Sequence, residues 1–463
     1  MKKLSTVPNI RNMFYEGNVN GNINDLESAK KYNERYLHWE ELRYRIEDAE
    51  TRKKVWLLMK LTRMTNAKHL NIGGVECSYS LTSNILESLF ELERALSGHL
   101  EYHSKEIGDQ RMRYYSVSSF VEEAISSSIL EGAAVTRADA KRMIRKKQHP
   151  VTNAERMVMN NYLAMENIKK IKDEKLTPAL IKEMHSIISD GTLKDGKEWE
   201  GRFREDNDVV VGDSLEMDKV FHIPPSHENV SKMIEGLCEF CNREDREFMH
   251  PIIKGIIIHF MIGYIHPFVD GNGRLARSLF YWHVIKKGYW MMEYAAISKV
   301  IRSAPSKYGM AYQYVETDEN DLTYFIKFNI ECIARAVKML EEHVKNKAKE
   351  QKKARDFVDQ NPQFNIRQAT ILKDYMKDNA PFSLMELKQR YRCAYQTVRL
   401  DVMDLQSLSL VRMVGKDRKK ILYVVDTEKM YGYAEQKEHK EQANAVNKTI
   451  LEKKGSKQKT LFE

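Results

Sequence analysis

At 463 residues the chain exceeds what one hydrophobic core usually organises, so two or three domains are expected. It is 42% hydrophobic and 30% charged, and no uninterrupted apolar run approaches the roughly 18 residues of a membrane helix. The start, Met1-Lys2-Lys3-Leu4-Ser5-Thr6, has no apolar targeting region, and five cysteines fit a reducing compartment better than a disulfide framework. The expectation is a cytoplasmic protein with no membrane partner.

In chain order, residues 1–110 read as an N-terminal helical module whose role the residues do not reveal. Glu40–Arg63 and Leu81–Leu100 carry apolar side chains at three- and four-residue spacing among many charges. Residues 111–344 read as the core. Ser127 and Glu131, four apart, share a helix face, and Gly132 follows as a C-terminal cap. Glu155–Ile171 repeats the helical spacing. Gly201-Arg202-Phe203-Arg204, Val209-Val210-Val211-Gly212 and His222-Ile223-Pro224-Pro225 mix β-branched residues with turn formers, as a hairpin would. Cys238 and Cys241 form a Cys-x-x-Cys without a second pair, which favours two thiols on one helix over a metal site. Leu322–Val344 is a further amphipathic helix.

The densest chemistry lies at residues 266–277, His-Pro-Phe-Val-Asp-Gly-Asn-Gly-Arg-Leu-Ala-Arg. An apolar run ending at Ile265 precedes it, and helical spacing from Leu275 to the stop at Gly288 follows. The segment is therefore a loop between two helices, with backbone N–H groups aimed where the second begins. Unpaired donors and the helix dipole favour an anion there. His266 can act as a base, and Asp270 suits magnesium, which borrows its other ligands from phosphates and water. Gly271 and Gly273 let a polyphosphate approach the backbone. Asn272 offers an amide donor where oxyanion charge develops. Arg274 and Arg277, three apart, share a face and can fork onto neighbouring phosphates.

This string resembles, without a mismatch, the signature of Fic-family proteins. The resemblance implies a mainly α fold with a small β-hairpin flap, and transfer of AMP from ATP to a Ser, Thr or Tyr hydroxyl of a target protein. It makes His266 the general base and Asp270 the Mg2+ ligand. The segment Gly271, Asn272, Gly273, Arg274, Leu275, Ala276 and Arg277 would bind ATP, with Arg277 on the γ-phosphate. A phosphorylating relative carries Lys where this chain has Gly273, which favours adenylylation. Ser127 to Gly132 resembles the family's inhibitory motif, in which Glu131 would pair with Arg277 and occupy the γ-phosphate's space. Val209, Val210, Val211 and Gly212 resemble the flap over the nucleotide, and Asp213 to Phe221 is longer than usual there. Ser306-Lys307-Tyr308 resembles a segment whose tyrosine packs near adenine; an ordinary packing role for Tyr308 stays open.

Charge divides the chain. Residues 351–463 hold 23 Lys+Arg and 15 Asp+Glu, so the first 350 residues carry almost none of the net charge of +9. Residues 345–362 read as a basic linker or a solvated helix end. At 363–428, three helices and a two-stranded wing resemble a winged helix-turn-helix. Arg399 and the tip residues Lys416, Arg418, Lys419 and Lys420 would be its contacts to DNA, while Asp401 and Asp404 on the reading helix oppose phosphate attraction. A protein partner for this module, a homodimer, and two rival functions stay open. One rival is a DNA-binding regulator whose core senses ATP with little turnover. The other is removal of AMP, with Glu131 positioning a water. Residues 429–463 are a polar, lysine-rich tail.

Overall fold

The structure, a computed structural model, describes residues 4–9, 13, 23–96, 109–146, 148–194, 196–212, 220–244, 247–359, 364–375, 381–417, 420–426 and 429. It is mainly helical and divides into two compact units, Met1–Glu341 and Glu342–Glu463. The expected basic tail lies almost wholly outside the described residues. No described helix is long and apolar enough to cross a membrane.

The first unit begins with helices α1 (Ile23–Glu34), α2 (Trp39–Leu42) and α3 (Ala49–Asn66). The expected run Glu40–Arg63 is broken because Asp48 starts a new helix, its carboxylate accepting the Thr51 N–H at 2.7 Å. A hairpin then interrupts the helical module: β1 (Lys68–Ile72) pairs antiparallel with β2 (Val75–Tyr79). Gly73 and Gly74 both have positive φ, 60° and 89°, the conformation a two-residue hairpin turn needs. Helix α4 covers Ser83–Arg94, and the end of the expected run, 97–100, lies outside the described residues.

Next come α5 (Asp109–Leu130), α6 (Arg137–Arg145), α7 (Asn153–Ile171) and α8 (Pro178–Ser189). The flap strands β3 (Val211–Gly212) and β4 (Val220–His222) are shorter than the sequence suggested, with Val209 and Val210 outside the ladder. The tip, Asp213–Lys219, lies outside the described residues. Helices α9 (His227–Asn242), α10 (Pro251–Ile265), α11 (Asn272–Lys286), α12 (Ile297–Arg302) and α13 (Pro305–Thr317) complete the core, with α14 (Thr323–Asp359) following. Every residue of α10 from Ile252 to Ile262 is buried, as expected for a helix apolar on all sides. It packs alongside α11, while α5 packs against α7 and α12.

The N-terminal module braces the turn that joins α13 to α14. Lys60 on α3 meets Asp318 at 2.7 Å, and Arg63 donates to the Tyr324 hydroxyl at 2.6 Å. The Leu322 N–H donates to the Ser78 carbonyl of β2 at 2.8 Å. The His38 ring stacks on Tyr314 with centroids 4.1 Å apart. These contacts fix α13, one wall of the cavity described below.

Of the two readings of residues 345–362, linker or solvated helix end, the structure gives the helix end. Helix α14 runs on to Asp359, because no Gly or Pro occurs between Leu322 and Pro362 and the run is rich in Lys, Glu, Gln and Ala. The second unit then holds α15 (Ile366–Tyr375), α16 (Leu384–Tyr391), α17 (Tyr395–Ser407) and the hairpin β5 (Val411–Asp417) with β6 (Lys420–Val425). A bridge from Phe382 to Tyr423 ties the hairpin to the start of α16. Ile371, Leu372, Leu387, Val398 and Leu405 are fully buried, giving this unit its own core.

Candidate active site

His266 closes α10 in a left-handed conformation, φ 49° and ψ 59°. That turn ends the helix and swings residues 266–271 back towards α11. The loop is held by groups from both flanks. Arg204, buried, donates Nε to the His266 carbonyl at 2.9 Å, and its own N–H donates to the Pro267 carbonyl at 2.9 Å. The His185 ring stacks on Phe268 at 3.6 Å, its Nε2 2.8 Å from the Asp270 carbonyl and its Nδ1 accepting the Gly201 N–H at 3.0 Å. His185 is therefore neutral with its proton on Nε2. Burial pushes it down to about 4, the Asp270 carbonyl opposing and Arg274 assisting.

Asn272 also braces the loop. Its Oδ1 accepts the Phe268 N–H at 3.0 Å and its Nδ2 donates to the Phe268 carbonyl at 2.7 Å. One of the two amide N–H groups and the amide oxygen thus hold the loop's own backbone. Leu275 and Ala276 are completely buried, so their side chains face the core, and the Leu275 N–H closes the first helical turn on Gly271. The donors left at this helix start are the N–H groups that precede that turn.

The two arginines also part company. Arg274, fully buried, sends Nη1 to the Ile188 carbonyl at 3.1 Å, with Asp270 3.8 Å away. Arg277 turns instead to the last turn of α5. Its Nε donates to the Ser127 hydroxyl at 2.9 Å, and its Nη2 to the Ser127 carbonyl at 3.1 Å and to Glu131 Oε1 at 2.9 Å. Three buried guanidinium nitrogens, Arg274 Nε and Nη2 and Arg277 Nη1, have no hydrogen-bond partner among the described residues. Buried cationic donors without acceptors are costly, so this pole is built for an anion.

Burial alone would raise the Glu131 carboxyl, but Arg277 outweighs it and holds the group below the usual carboxylate range. Gly273 permits the pairing. A Cβ there would collide with the Glu131 carboxylate. Gly132 carries the chain out of α5 with φ 88°.

A cavity of about 270 Å³ opens beside this pair. It is lined by Glu131 and Gly273, by His266, by Val211 and His222 of the flap, and by Pro305, Tyr308, Tyr312 and Glu316 of α13. Of the four flap residues singled out in the sequence, Val211 lines it. Tyr308 both lines the cavity and packs, its hydroxyl 2.8 Å from His259 Nε2. His266 directs Nδ1 to the Gly263 carbonyl at 3.2 Å, which puts the proton on Nδ1 and leaves the Nε2 lone pair free. Burial lowers this imidazole to about 4, with the Gly263 carbonyl and Glu131 opposing and His222 and Arg204 assisting.

Asp270 fits magnesium. Its side chain is 56% exposed at the mouth of the loop, with Oδ1 on the Gly271 N–H at 2.5 Å, so one carboxylate faces open space beside the cationic pole. Among the described residues no cluster of three His, Cys, Asp or Glu side chains is gathered to enclose a metal. Cys238 and Cys241 are buried on α9 and form no disulfide, and Cys241 lies 3.7 Å from His283 Nδ1.

Sequence reasoning missed His185 and passed over the contacts of Arg204. His185 sits four before Ser189 on an amphipathic helix and carries no local motif, so only the tertiary fold reveals it. Arg204 belonged to a segment already singled out, and its burial alone shows what it does.

In the second unit Asp401 is a further correction. It is buried, accepting from Asn365 at 2.8 Å and from Arg367 Nε at 2.7 Å, and so does not face a ligand on the exposed side of α17. Arg399 is exposed. Arg418 and Lys419 lie outside the described residues, as do the side chains of Lys416 and Lys420.

In a mainly helical frame, one cavity is lined by His266, by Gly273 in the first turn of α11 and by Glu131, which Arg277 meets at 2.9 Å. Residues 175–284 match the Fic/DOC family, a stretch that contains the whole loop. The chain is similar to the protein adenylyltransferase Fic of Nematostella vectensis, 24% identical over 284 residues, covering 56% of this chain and 61% of that protein. It is also similar to the protein adenylyltransferase Fic of Drosophila melanogaster, 26% identical over 262 residues, covering 56% and 48%. The chain thus spans between about half and three fifths of the length of these curated relatives. A solved structure of a Fic family protein from Desulfovibrio desulfuricans aligns with TM-score 0.48 and 16% identity, covering 73% of this chain and 96% of that one.

Proposed function

We propose that this protein is a self-inhibited, magnesium-dependent adenylyltransferase that moves AMP from ATP to a Ser, Thr or Tyr hydroxyl of a target protein. The observation that carries the reading is the Glu131–Arg277 pair, 2.9 Å long, whose carboxylate residue lines the same cavity as His266. Arg277 would hold the γ-phosphate, and Arg274 with the first N–H groups of α11 the other phosphates. The neutral His266 Nε2 would take the proton of the attacking hydroxyl. The hydroxyl oxygen bonds to the α-phosphorus, and the bond to pyrophosphate breaks. Bound through Asp270, Mg2+ would neutralise charge on the phosphates. Anionic phosphates beside His266 would also raise its basicity from the low value of the empty cavity.

With Glu131 on Arg277 Nη2, the γ-phosphate would lose that donor and the space Glu131 fills, and ATP would bind in a pose unsuited to in-line attack. That is the self-inhibition. The named activity of the relatives supports this reading, as do the residues of the family signature. The test uses ATP labelled on the α- or the γ-phosphate with the purified protein and a lysate. Label should become covalent only from the α-position, and His266→Ala should abolish it. Label from the γ-position would mean phosphorylation; release of AMP from a pre-labelled target, without transfer, would favour the removal reaction with Glu131 holding a water.

DNA binding by residues 366–425 is a second reading, favoured by one observation. With Asp401 turned inward, the exposed side of α17 presents Tyr395, Gln396 and Arg399 with one less opposing charge.

A further inference from the structure

We propose that Arg204 is a positioning residue of the site, whose single guanidinium ties both roots of the flap to the backbone of His266. The base and the flap wall of the cavity are thereby held at a fixed spacing. The proposal rests on reading that cavity as the site of AMP transfer.

The three nitrogens of this side chain go to three separate stretches of chain. Nε donates to the His266 carbonyl at 2.9 Å. Nη1 donates to the Asp206 carbonyl at 2.8 Å, ahead of β3, and Nη2 to the Pro225 carbonyl, beyond β4. The Asn207 side chain extends the join. Its Oδ1 accepts from Arg204 Nη1 at 3.4 Å and from the His227 N–H at 2.8 Å, at the start of α9. With 2% of its surface exposed, Arg204 depends on these oxygens rather than on water, and breaking one would leave a buried charged donor unmet. Lysine would keep the charge, but its one nitrogen on a flexible stem cannot serve three carbonyls lying in the guanidinium plane.

What these bonds hold is a strained turn. His266 is a non-glycine residue at φ 49°, and such a conformation persists only where its surroundings fix it. Its ring is held through Nδ1 on the Gly263 carbonyl at 3.2 Å, and Arg204 holds the backbone. The far end of the loop has separate braces, Asn272 on Phe268 and His185 on the Asp270 carbonyl. Arg204 therefore acts on the His266 end. On its other side it fixes the strands that bring Val211, Phe221 and His222 to the same cavity.

In the transfer reaction the phosphates would be held by Arg274, Arg277 and the start of α11, so losing Arg204 should spare ATP binding. The proton transfer is different, because a base displaced by about an ångström can cost about a hundredfold in rate.

The experiment uses the full-length protein carrying Glu131→Gly and follows three readouts: self-labelling from α-labelled ATP, binding of a fluorescent ATP analogue, and amide hydrogen exchange. Arg204→Lys should slow labelling about a hundredfold with ATP affinity within about threefold of the parent. Exchange should rise together at His266, whose N–H bonds to the Ile262 carbonyl, and at His227, while Phe268 stays protected by Asn272. Asn207→Ala, a milder change that keeps the result decisive if Arg204→Lys does not fold, should give the same exchange pattern with about a fivefold loss of rate. Normal labelling in Arg204→Lys would make charge, and not placement, the contribution of Arg204. Exchange that rises at His227 without His266, or equally at all three amides, would make the residue part of the scaffold. Either result overturns the proposal. If the Glu131→Gly parent labels nothing, the transfer reading fails, and the exchange pattern still decides whether Arg204 joins flap to loop.

Discussion

Arg277 in the first unit and Arg367 in the second both pair with a carboxylate, and the two pairs do opposite work. Arg367, 40% exposed, meets the buried Asp401 and ties α15 to α17, leaving no buried donor unpartnered. Arg277, 4% exposed, meets Glu131 yet keeps an unpartnered nitrogen, and Arg274 three residues earlier keeps two more. A surface-linked pair with complete hydrogen bonding is part of the scaffold. In the proposed function, a buried pair beside unfilled cationic donors is one in which the carboxylate would stand where another anion goes.

The largest test of the contrast is His266→Ala. It should reduce covalent AMP transfer by about a hundredfold to ten-thousandfold while leaving ATP binding close to wild type, since the base touches the hydroxyl and not the phosphates. Labelling kinetics beside a binding isotherm check both halves. Near-normal labelling would remove the site from the first unit altogether.

Glu131→Gly comes next. Freeing Arg277 for the γ-phosphate should shift its occupancy by roughly 3 kcal/mol, on the order of a hundredfold gain in automodification and target labelling. Adding Arg277→Ala should cancel the gain. Unchanged labelling in the single variant would make this pair a scaffold pair like the one on Arg367.

The buried histidines predict an acid effect on stability. His185 and His266 are each lowered from 6.5 to about 4 in the folded chain. The unfolded chain therefore binds protons from pH 6.5 downward while the native state does not, and stability is lost as pH falls through 6.5 towards 4. Each histidine should cost about 2 kcal/mol by pH 5. Thermal melts from pH 7 to 5 should fall steeply. His185→Gln should flatten the slope, and an unchanged slope would mean that His185 is not held neutral.

Smaller effects belong to the second unit. Asp401→Ala should lower its melting temperature slightly and leave AMP transfer unchanged, which separates scaffold from site. Neutralising Arg399 with Lys416, Arg418, Lys419 and Lys420 should flatten any salt dependence of duplex binding, by about one unit of log–log slope for each phosphate that is no longer neutralised. If the intact protein shows no salt-dependent DNA binding at low ionic strength, a protein partner for this unit is favoured.

Much of the site was legible in the residues because its parts are consecutive. His266 to Arg277 fall within one loop and one helical turn, so their chemistry and spacing could be read directly, and the helix–loop–helix frame followed from apolar periodicity. Glu131 with Ser127 was legible as a helix-face pair. The hairpin at Gly73-Gly74 was passed over although two adjacent glycines between β-formers are a local signal. Continuation of α14 through the lysine-rich run was hidden by charge, which marks solvent exposure as readily as a linker.

Taken alone, the sequence determined which helices form, where the loop lies and which residue types it carries, since these depend on period, caps and local turns. Tertiary structure decided the partners. It spent Asn272 on the backbone of Phe268 and sent Arg274 and Arg277 to different carbonyls. It brought Glu131 to Arg277 across 146 residues, placed His185 and Arg204 under the loop, and turned Asp401 inward. A polar side chain on a helix face can serve several neighbours equally well until packing buries it. Burial then makes an unmet donor or acceptor costly, and that cost selects a single partner.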